Sequence, residues 1–310
     1  MRAPPDIIPL RAASHFPSLS HREDIESNWH MFSEDVRTGI APYRARPSFR
    51  CVFEGKEEDV LAAKSILGLL SRYSANEKEE DIVCDALREI CGLLVWNGGV
   101  ANYEIMREIG TLKPVRLSSF TNKRLAVTPW GYFQIVPRKD YEALNKKIIF
   151  IPKHFVWRIK IPAELSGQRG FQKMVSALGR FNYMGPRFFM ADLQKQKANF
   201  SRTFSDYAEI CRTYQSKSTG DWRWNFRGLF EKNSTEFYSL LRRVEFEISL
   251  AVLREHLIKE INRLYLDLRL DCILKMEGLL TADQLRKVRV DFLTNDIPFE
   301  EIYKRTSINA

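Results

Sequence analysis

Five short runs of β-branched and aromatic residues in the middle of the chain constrain the fold more than any other feature of the sequence. They cover residues 115–120, 124–128, 132–136, 148–151 and 155–161. Polar or Pro/Gly-containing segments separate the first three runs, a spacing typical of consecutive antiparallel strands. In the last run, alternation predicts a buried apolar face and an outer face with His154, Arg158 and Lys160. We therefore expect a small central antiparallel sheet with a basic face.

Helical periodicity is found on both sides of this predicted sheet. Apolar spacing predicts helices at about 24–32, 57–73, 79–96, 101–109, 170–181, 191–214 and 235–278. The segment that begins at Glu57 has acidic residues in its first turn, where the helix dipole favours them. The last segment carries two apolar stripes, which predicts a long spine helix buried on more than one face.

These elements predict an α+β fold with a helical N-terminal region, the central sheet and a predominantly α-helical C-terminal domain. Residues 1–55 are expected to be an extended or irregular arm, because they hold six of the 13 prolines. Residues 56–165 combine helices with the antiparallel sheet. Residues 166–310 form the helical domain, which contains the spine helix and a terminal helical hairpin at 280–306.

Two local patterns are typical of DNA-reading elements. The helices predicted at 79–96 and 101–109, followed by an antiparallel hairpin, have the order of a winged helix with one helix missing. Residues 280–309 resemble the first two helices of a resolvase- or invertase-type helix-turn-helix, with Thr281 as the cap of the first helix and Glu301-Ile302 in the second. The recognition helix of that family would follow Ala310, so the resemblance implies a helical hairpin and no function is transferred.

Positive charge is concentrated in one third of the chain. The formal net charge is +9, yet residues 101–200 hold 18 Lys+Arg and 6 Asp+Glu, whereas the remaining residues hold 30 and 33. A segregated basic block is what phosphate binding requires, because each neutralised phosphate releases counterions. A solvated basic surface without a ligand is the other interpretation of this pattern.

Aromatic residues are interleaved with the basic residues of this block. Cations bind phosphates and aromatic faces stack on exposed bases, so the combination suits single-stranded or distorted nucleic acid. We expect at least half of these aromatic residues to lie in the core instead. The predicted nucleic-acid-binding residues are Arg138, Lys139, Lys146, Lys147, Lys153, Arg158, Lys160, Arg169, Lys173, Arg180, Arg187, Lys195, Lys197, Arg202, Tyr183 and Phe188.

The sequence contains no catalytic signature, so we predict no catalytic residue, no metal ligand and no cofactor. It has no GxSxG elbow, and Ser166–Gly170 lacks the lysine and the glycine spacing of a phosphate-binding loop. Glu255, His256 and Glu260 share a helix face without completing a known metal motif. An enzyme with a dispersed active site, such as a nuclease, stays open because its residues need only meet in space.

Cysteine usage and hydropathy bear on the compartment. The five cysteines are scattered and include no CxxC pair, which is typical of a reducing environment. No apolar run approaches the roughly 20 residues of a membrane-spanning helix. Prolines interrupt the N-terminal segment where a signal peptide has its apolar core. The sequence therefore predicts a cytoplasmic protein that does not associate with membranes.

The segment DWRWNFRGLF, at residues 221–230, alternates aromatic and polar residues but lies outside the basic block. We expect it to be a short extended piece that packs Trp222, Trp224 and Phe226 into a core or interdomain contact. A partner surface and a base-stacking surface are the alternatives.

The leading functional hypothesis is a non-enzymatic nucleic-acid-binding protein, one subunit of a larger assembly, that contacts DNA or RNA through residues 138–202. The alternative is a structural or adaptor protein that docks a protein partner, or a second copy of itself, through an aromatic patch and the long C-terminal helix.

Overall fold

The computed structural model of the protein describes residues 28–42, 49–71, 77–107, 114–120, 122, 124–136, 147–180, 219–224 and 235–305. The fold is α+β, as predicted from the sequence. The described residues form two compact units, each of them discontinuous in sequence. The first unit takes its residues from 41–160 and 256–279, and the second takes them from 22–40, 161–255 and 280–310. The three consecutive segments expected from the sequence stay a prediction.

The described part of the chain contains seven α-helices and eight strands. The helices are α1 (Asn28–Gly39), α2 (Glu57–Gly68), α3 (Glu79–Trp96), α4 (Gly167–Arg180), α5 (Glu236–Asp267), α6 (Ala282–Leu293) and α7 (Phe299–Arg305). The strands are β1 (Arg50–Gly55), β2 (Val100–Arg107), β3 (Pro114–Phe120), β4 (Leu125–Val127), β5 (Gly131–Ile135), β6 (Ile148–Pro152), β7 (Val156–Lys160) and β8 (Cys272–Glu277). The five strands predicted in the centre of the chain are confirmed as β3 to β7.

The first sheet of the first unit has the order β3-β2-β7, and all its neighbouring strands are antiparallel. Its central strand β2 replaces the helix expected at 101–109, so that prediction is wrong, and with it the order of a winged helix. Residues Val100 to Ile105 are all buried. A strand covered on both faces loses the polar/apolar alternation that marks strands in a sequence, which explains the error.

The second sheet has the order β4-β5-β6 and is also antiparallel. One of its faces is buried in a core cluster with Phe120 of β3, and Val156 of β7 packs against the same cluster. The members of that cluster from the second sheet and its ends are Tyr132, Val136, Ile149 and Ile151. The two sheets of the first unit are therefore layered, with the opposite face of the second sheet turned outward.

A third, two-stranded sheet pairs β1 with β8. The sequence predicts irregular chain for β1 and places residues 272–277 in the spine helix, but α5 ends at Asp267. Side chains cover both outer edges of this ribbon. Asn262 of α5 donates from Nδ2 to Leu274 O (2.9 Å) and accepts from Leu274 N (2.7 Å), and Glu80 Oε1 accepts from Cys51 N (3.3 Å).

The second unit contains an aromatic core. Trp222 and Trp224 are buried there, and the rings of both lie edge-on to Phe32 of α1, at 5.2 and 5.4 Å between centroids. Trp224 Nε1 also donates to Asp35 Oδ2 at 2.9 Å. The expected packing role of these two tryptophans is confirmed. The chain forms a turn at residues 219–223 rather than an extended piece, and Phe226 lies outside the described residues.

The terminal helical hairpin is present as α6 and α7. Thr281 caps α6 through a reciprocal pair of hydrogen bonds: Gln284 N donates to Thr281 Oγ1 (3.2 Å), and Thr281 N donates to Gln284 Oε1 (2.8 Å). Glu301 and Ile302 lie in α7. The positions expected for all three residues are confirmed. No helix in the described part of the chain has the length and apolar character needed to cross a bilayer.

Candidate nucleic-acid interface

The outward face of the second sheet carries large apolar side chains. Because side chains alternate along a strand, residues 132, 134, 149 and 151 point to the core and their neighbours point outward. We call this surface the outer sheet face, and it consists of Ala126, Phe133, Ile135, Ile148 and Phe150, with Arg124 and Trp130 at its ends. Five of these residues are exposed large hydrophobics: Trp130 (76%), Phe133 (39%), Ile135 (49%), Ile148 (58%) and Phe150 (41%).

The aromatic centre of the outer sheet face is a cross-strand pair. Phe133 and Phe150 are direct partners in the β5–β6 ladder, and their ring centroids lie 4.8 Å apart with 40° between the planes. A Cβ on Gly131 would lie 2.8 Å from Phe150 Cε2 and would collide with Ile151 O. The glycine therefore leaves room for the Phe150 ring to lie across the strand. The two rings form one continuous aromatic surface open to solvent.

Trp130 extends this surface at one end. It lies in the turn between β4 and β5, where Thr128 N donates to Gly131 O (2.8 Å) and Gly131 N donates to Thr128 Oγ1 (3.2 Å). Lys153 N donates to Trp130 O at 3.1 Å, which ties the turn to the end of β6. The exposed indole is thus carried by a braced turn, beside the exposed side chain of Lys153.

Cations lie at the other end as well. Ile135 N donates to Arg124 O (3.0 Å), and Val136 N donates to Lys147 O (3.0 Å), so both basic residues flank the same end of β5. Arg124 and Lys147 are exposed. Five residues of β5 span about 17 Å. Arg124 and Lys147 therefore lie about that distance from Lys153, with the apolar centre between them.

Asn122 anchors the turn that presents Arg124. Its Nδ2 donates to Asn97 O and Val100 O, both at 3.3 Å, and its Oδ1 accepts from Asn102 Nδ2 at 2.7 Å. Arg124 itself has a φ of 58°, in the left-handed region that residues with a side chain rarely adopt. The position of this cation is therefore set by the first sheet and by a strained backbone.

The charged residues that the structure describes between 114 and 160 are all basic. The described residues between 114 and 160 include no Asp or Glu, and their basic residues are Arg116, Arg124, Lys147, Lys153, Arg158 and Lys160. A polyanion is the ligand class that such a surface attracts.

Arg158 differs from the other predicted phosphate-binding residues. It is half-buried on the face of β7 that packs toward the second sheet, with its guanidinium 5.7 Å from the Tyr132 ring centroid. Burial lowers the pKa of this guanidinium, and Nε and Nη1 are buried without a hydrogen-bond partner. Arg158 therefore belongs to the layer between the two sheets and not to the outer sheet face.

The remaining predicted site residues that the structure describes belong to two different units. Lys147, Lys153 and Lys160 are exposed in the first unit, while Arg169 and Lys173 are exposed on α4 of the second unit. Arg180 is the last residue of α4. The other predicted residues lie outside the described part of the chain: Arg138, Lys139, Lys146, Tyr183, Arg187, Phe188, Lys195, Lys197 and Arg202.

The residues singled out for metal binding have structural contacts. His256 Nε2 lies 2.8 Å from Lys160 O, and Glu255 Oε1 accepts from Ala282 N at 2.7 Å. Among the residues that the structure describes, no group of three or more His, Cys, Asp or Glu side chains is placed to hold a metal ion.

Comparison of the chain with known protein families, with curated proteins and with solved structures gives no match. The candidate interface is therefore inferred only from the geometry of this chain. Sequence reasoning missed Arg124, Trp130, Phe133 and Phe150. The signal that could have found them was the period-two alternation of 132–136 and 148–151, which places Phe133 and Phe150 on one face. Both faces of these strands are apolar, so the pattern does not indicate which face is open.

Proposed function

We propose that this protein is a non-enzymatic nucleic-acid-binding protein and that the outer sheet face is its binding surface. The observation that carries the proposal is the solvent-exposed Phe133–Phe150 pair in a region whose described charges are all positive. Aromatic rings stack on bases, and flanking cations neutralise phosphates. Few other ligand classes offer flat apolar groups and regularly spaced negative charges together.

The arrangement of charge favours nucleic-acid binding over the binding of anions by charge alone. Arg124 and Lys147 flank one end of the apolar centre and Lys153 flanks the other. Exposed apolar residues in a contiguous patch mark interaction sites. A ligand that satisfies both features must present negative charge on each side of an apolar contact, as a nucleic-acid strand does.

Fluorescence anisotropy with short labelled DNA and RNA oligonucleotides tests the proposal. We expect binding that weakens steeply as salt rises, because phosphate binding releases counterions. The double variant Lys147→Gln/Lys153→Gln should lower the slope of log K against log salt by about 0.7–0.9 for each phosphate that the protein no longer neutralises. Lys287→Gln, an exposed lysine of α6 in the second unit, is the matched control and should keep the parental slope.

Two results would contradict the proposal. The first is the absence of binding to any oligonucleotide at low salt. The second is binding whose affinity does not change between low and moderate salt.

A second candidate function, docking of a protein partner, is favoured by one observation. Ile135 and Ile148 are cross-strand partners at the Arg124 end of the outer sheet face, and they are 49% and 58% exposed. Aliphatic side chains contribute little to base stacking but suit an apolar protein contact. We also propose that the protein is a subunit of a larger assembly and that it is cytoplasmic. The cytoplasmic location is supported by buried cysteines with free thiols: Cys51, Cys84, Cys91 and Cys272.

A further inference from the structure

We infer that the ligand of the outer sheet face is single-stranded nucleic acid, whose bases stack on the Phe133–Phe150 surface. This inference rests on the proposed function and narrows it to one class of ligand. The decisive feature is the chemistry at the centre of the face, where a ligand makes its closest contact.

The centre of the outer sheet face has no group that reads a duplex. Ala126, Phe133, Ile135, Ile148 and Phe150 carry no hydrogen-bond donor or acceptor in their side chains. Proteins read duplex DNA in the grooves through Arg, Asn, Gln and similar side chains that bond to base edges, and the duplex exterior is lined with phosphates. A duplex on this face would set phosphates against apolar rings.

An unpaired strand presents the flat faces of its bases, which are groups that can pack on these apolar side chains. Its bases are accessible, and every base has a flat face that stacks on an aromatic ring regardless of sequence. The centroids of the Phe133 and Phe150 rings lie 4.8 Å apart and each side chain is about two-fifths exposed, so both rings are accessible to a base. Trp130 adds a third, more exposed ring at the same end as Lys153.

The backbone of such a strand is accommodated by the same geometry. Cations lie at both ends of β5, about 17 Å apart, and apolar residues lie between them. A strand that runs along the face therefore places phosphates at both ends while its bases cover the centre. The charge of the described residues around the face, which is entirely positive, favours this polyanion over a protein partner with mixed charges.

The test compares one oligonucleotide sequence as a single strand and as a duplex, each titrated by anisotropy against the parent protein and four variants. Phe133→Leu and Phe150→Leu keep an apolar side chain in the ladder and remove the aromatic face. Phe133→Tyr and Phe150→Tyr are matched controls that keep it. We expect the single strand to bind at least tenfold more tightly than the duplex, and each Leu variant to lose about tenfold in single-strand affinity. The Tyr variants should stay within about threefold of the parent.

A second readout is the fluorescence of Trp130 rather than binding affinity. Stacking of a base on Trp130 quenches indole fluorescence, and the difference between the parent protein and Trp130→Phe isolates that signal from the other five tryptophans. We expect quenching by the single strand and little or none by the duplex.

The possible failures are distinguishable. Salt-dependent binding with equal or higher affinity for the duplex, or Leu variants that bind like the parent, would overturn the single-strand inference and leave the proposed function in place. Absence of all nucleic-acid binding would overturn both. If light scattering then showed self-association that Phe133→Leu abolishes, protein docking would replace them.

Discussion

At the scale of single residues, Arg124 combines a cost in stability with an exposed positive charge. Its φ of 58° puts its Cβ near the following carbonyl oxygen, which costs about 1–2 kcal/mol for any residue with a side chain. Asn122 holds the turn in this conformation through three hydrogen bonds to the first sheet and its flanking chain. The strain therefore has a structural cause, and its result is an exposed cation beside Ile135.

Replacement of Arg124 separates the two effects. Arg124→Gly removes both the strain and the charge, so we expect the free energy of unfolding to rise by about 0.5–1 kcal/mol while oligonucleotide affinity falls. Arg124→Gln keeps a Cβ at the strained position and removes only the charge, so it should lose the same affinity without gaining stability. Denaturant unfolding and anisotropy measure the two quantities. Gly and Gln variants with equal stability would show that the backbone at this position is not strained.

At the scale of elements, side chains rather than further strands protect the edges of the β1–β8 ribbon. Exposed strand edges attract other chains, and proteins usually cover them. Asn262 satisfies both backbone groups of Leu274 because its amide presents a donor and an acceptor side by side, as a neighbouring strand would. Glu80 does the same for one backbone N–H, that of Cys51.

Loss of the Asn262 amide tests this arrangement. Asn262→Leu leaves the N–H and C=O of Leu274 without partners in a half-buried position, so we expect the free energy of unfolding to fall by about 2–4 kcal/mol. Lys259→Leu, an exposed position on the same helix, should change it by less than about 0.5 kcal/mol. Chemical denaturation measures both variants, and equal effects would show that the paired hydrogen bonds contribute nothing particular.

Some of these helices and strands are predictable from the sequence, and others are not. The helix at 79–96 follows from its apolar spacing and from Gly98 and Gly99, which end it, and strands β3 to β7 follow from short runs of β-branched and aromatic residues between turn residues. Strand β2 does not follow from periodicity, since both its faces are buried. Strand β8 was predicted as part of the spine helix because its apolar residues continue the apolar stripes of α5. The outer sheet face was missed for a related reason: Tyr132 and Phe133 are both large aromatic residues, and only the core cluster with Phe120 shows which of the two rings is buried.

At the scale of the whole molecule, buried thiols and hydroxyls among the described residues make stability depend on pH in the alkaline range. Cys51, Tyr103, Tyr265 and Cys272 all belong to the first unit, and burial raises the pKa of each of these thiols and hydroxyls. A raised pKa keeps each group protonated to higher pH in the folded state than in the unfolded chain, where thiols lose their protons near pH 9.0 and tyrosine hydroxyls near pH 10.0. Above those values the folded state binds more protons than the unfolded state, so stability must fall as pH rises.

The raised pKa values of these groups predict destabilisation at alkaline pH. Between pH 8 and pH 10 we expect the free energy of unfolding to fall by about 1–2 kcal/mol, mostly from the Cys51 thiol, because a buried thiol contributes up to about 1.4 kcal/mol per pH unit above its unfolded pKa. Cys51→Ala and Cys51→Ser each remove one titrating group. Both should reduce the pH-dependent fall by about 1 kcal/mol, although their stabilities at pH 8 will differ because a hydroxyl at this buried position costs more than a methyl group. Denaturant titrations at pH 8, 9 and 10 measure the fall. A flat profile in the parent, or variants as pH-sensitive as the parent, would mean that the Cys51 thiol can ionise without unfolding the first unit.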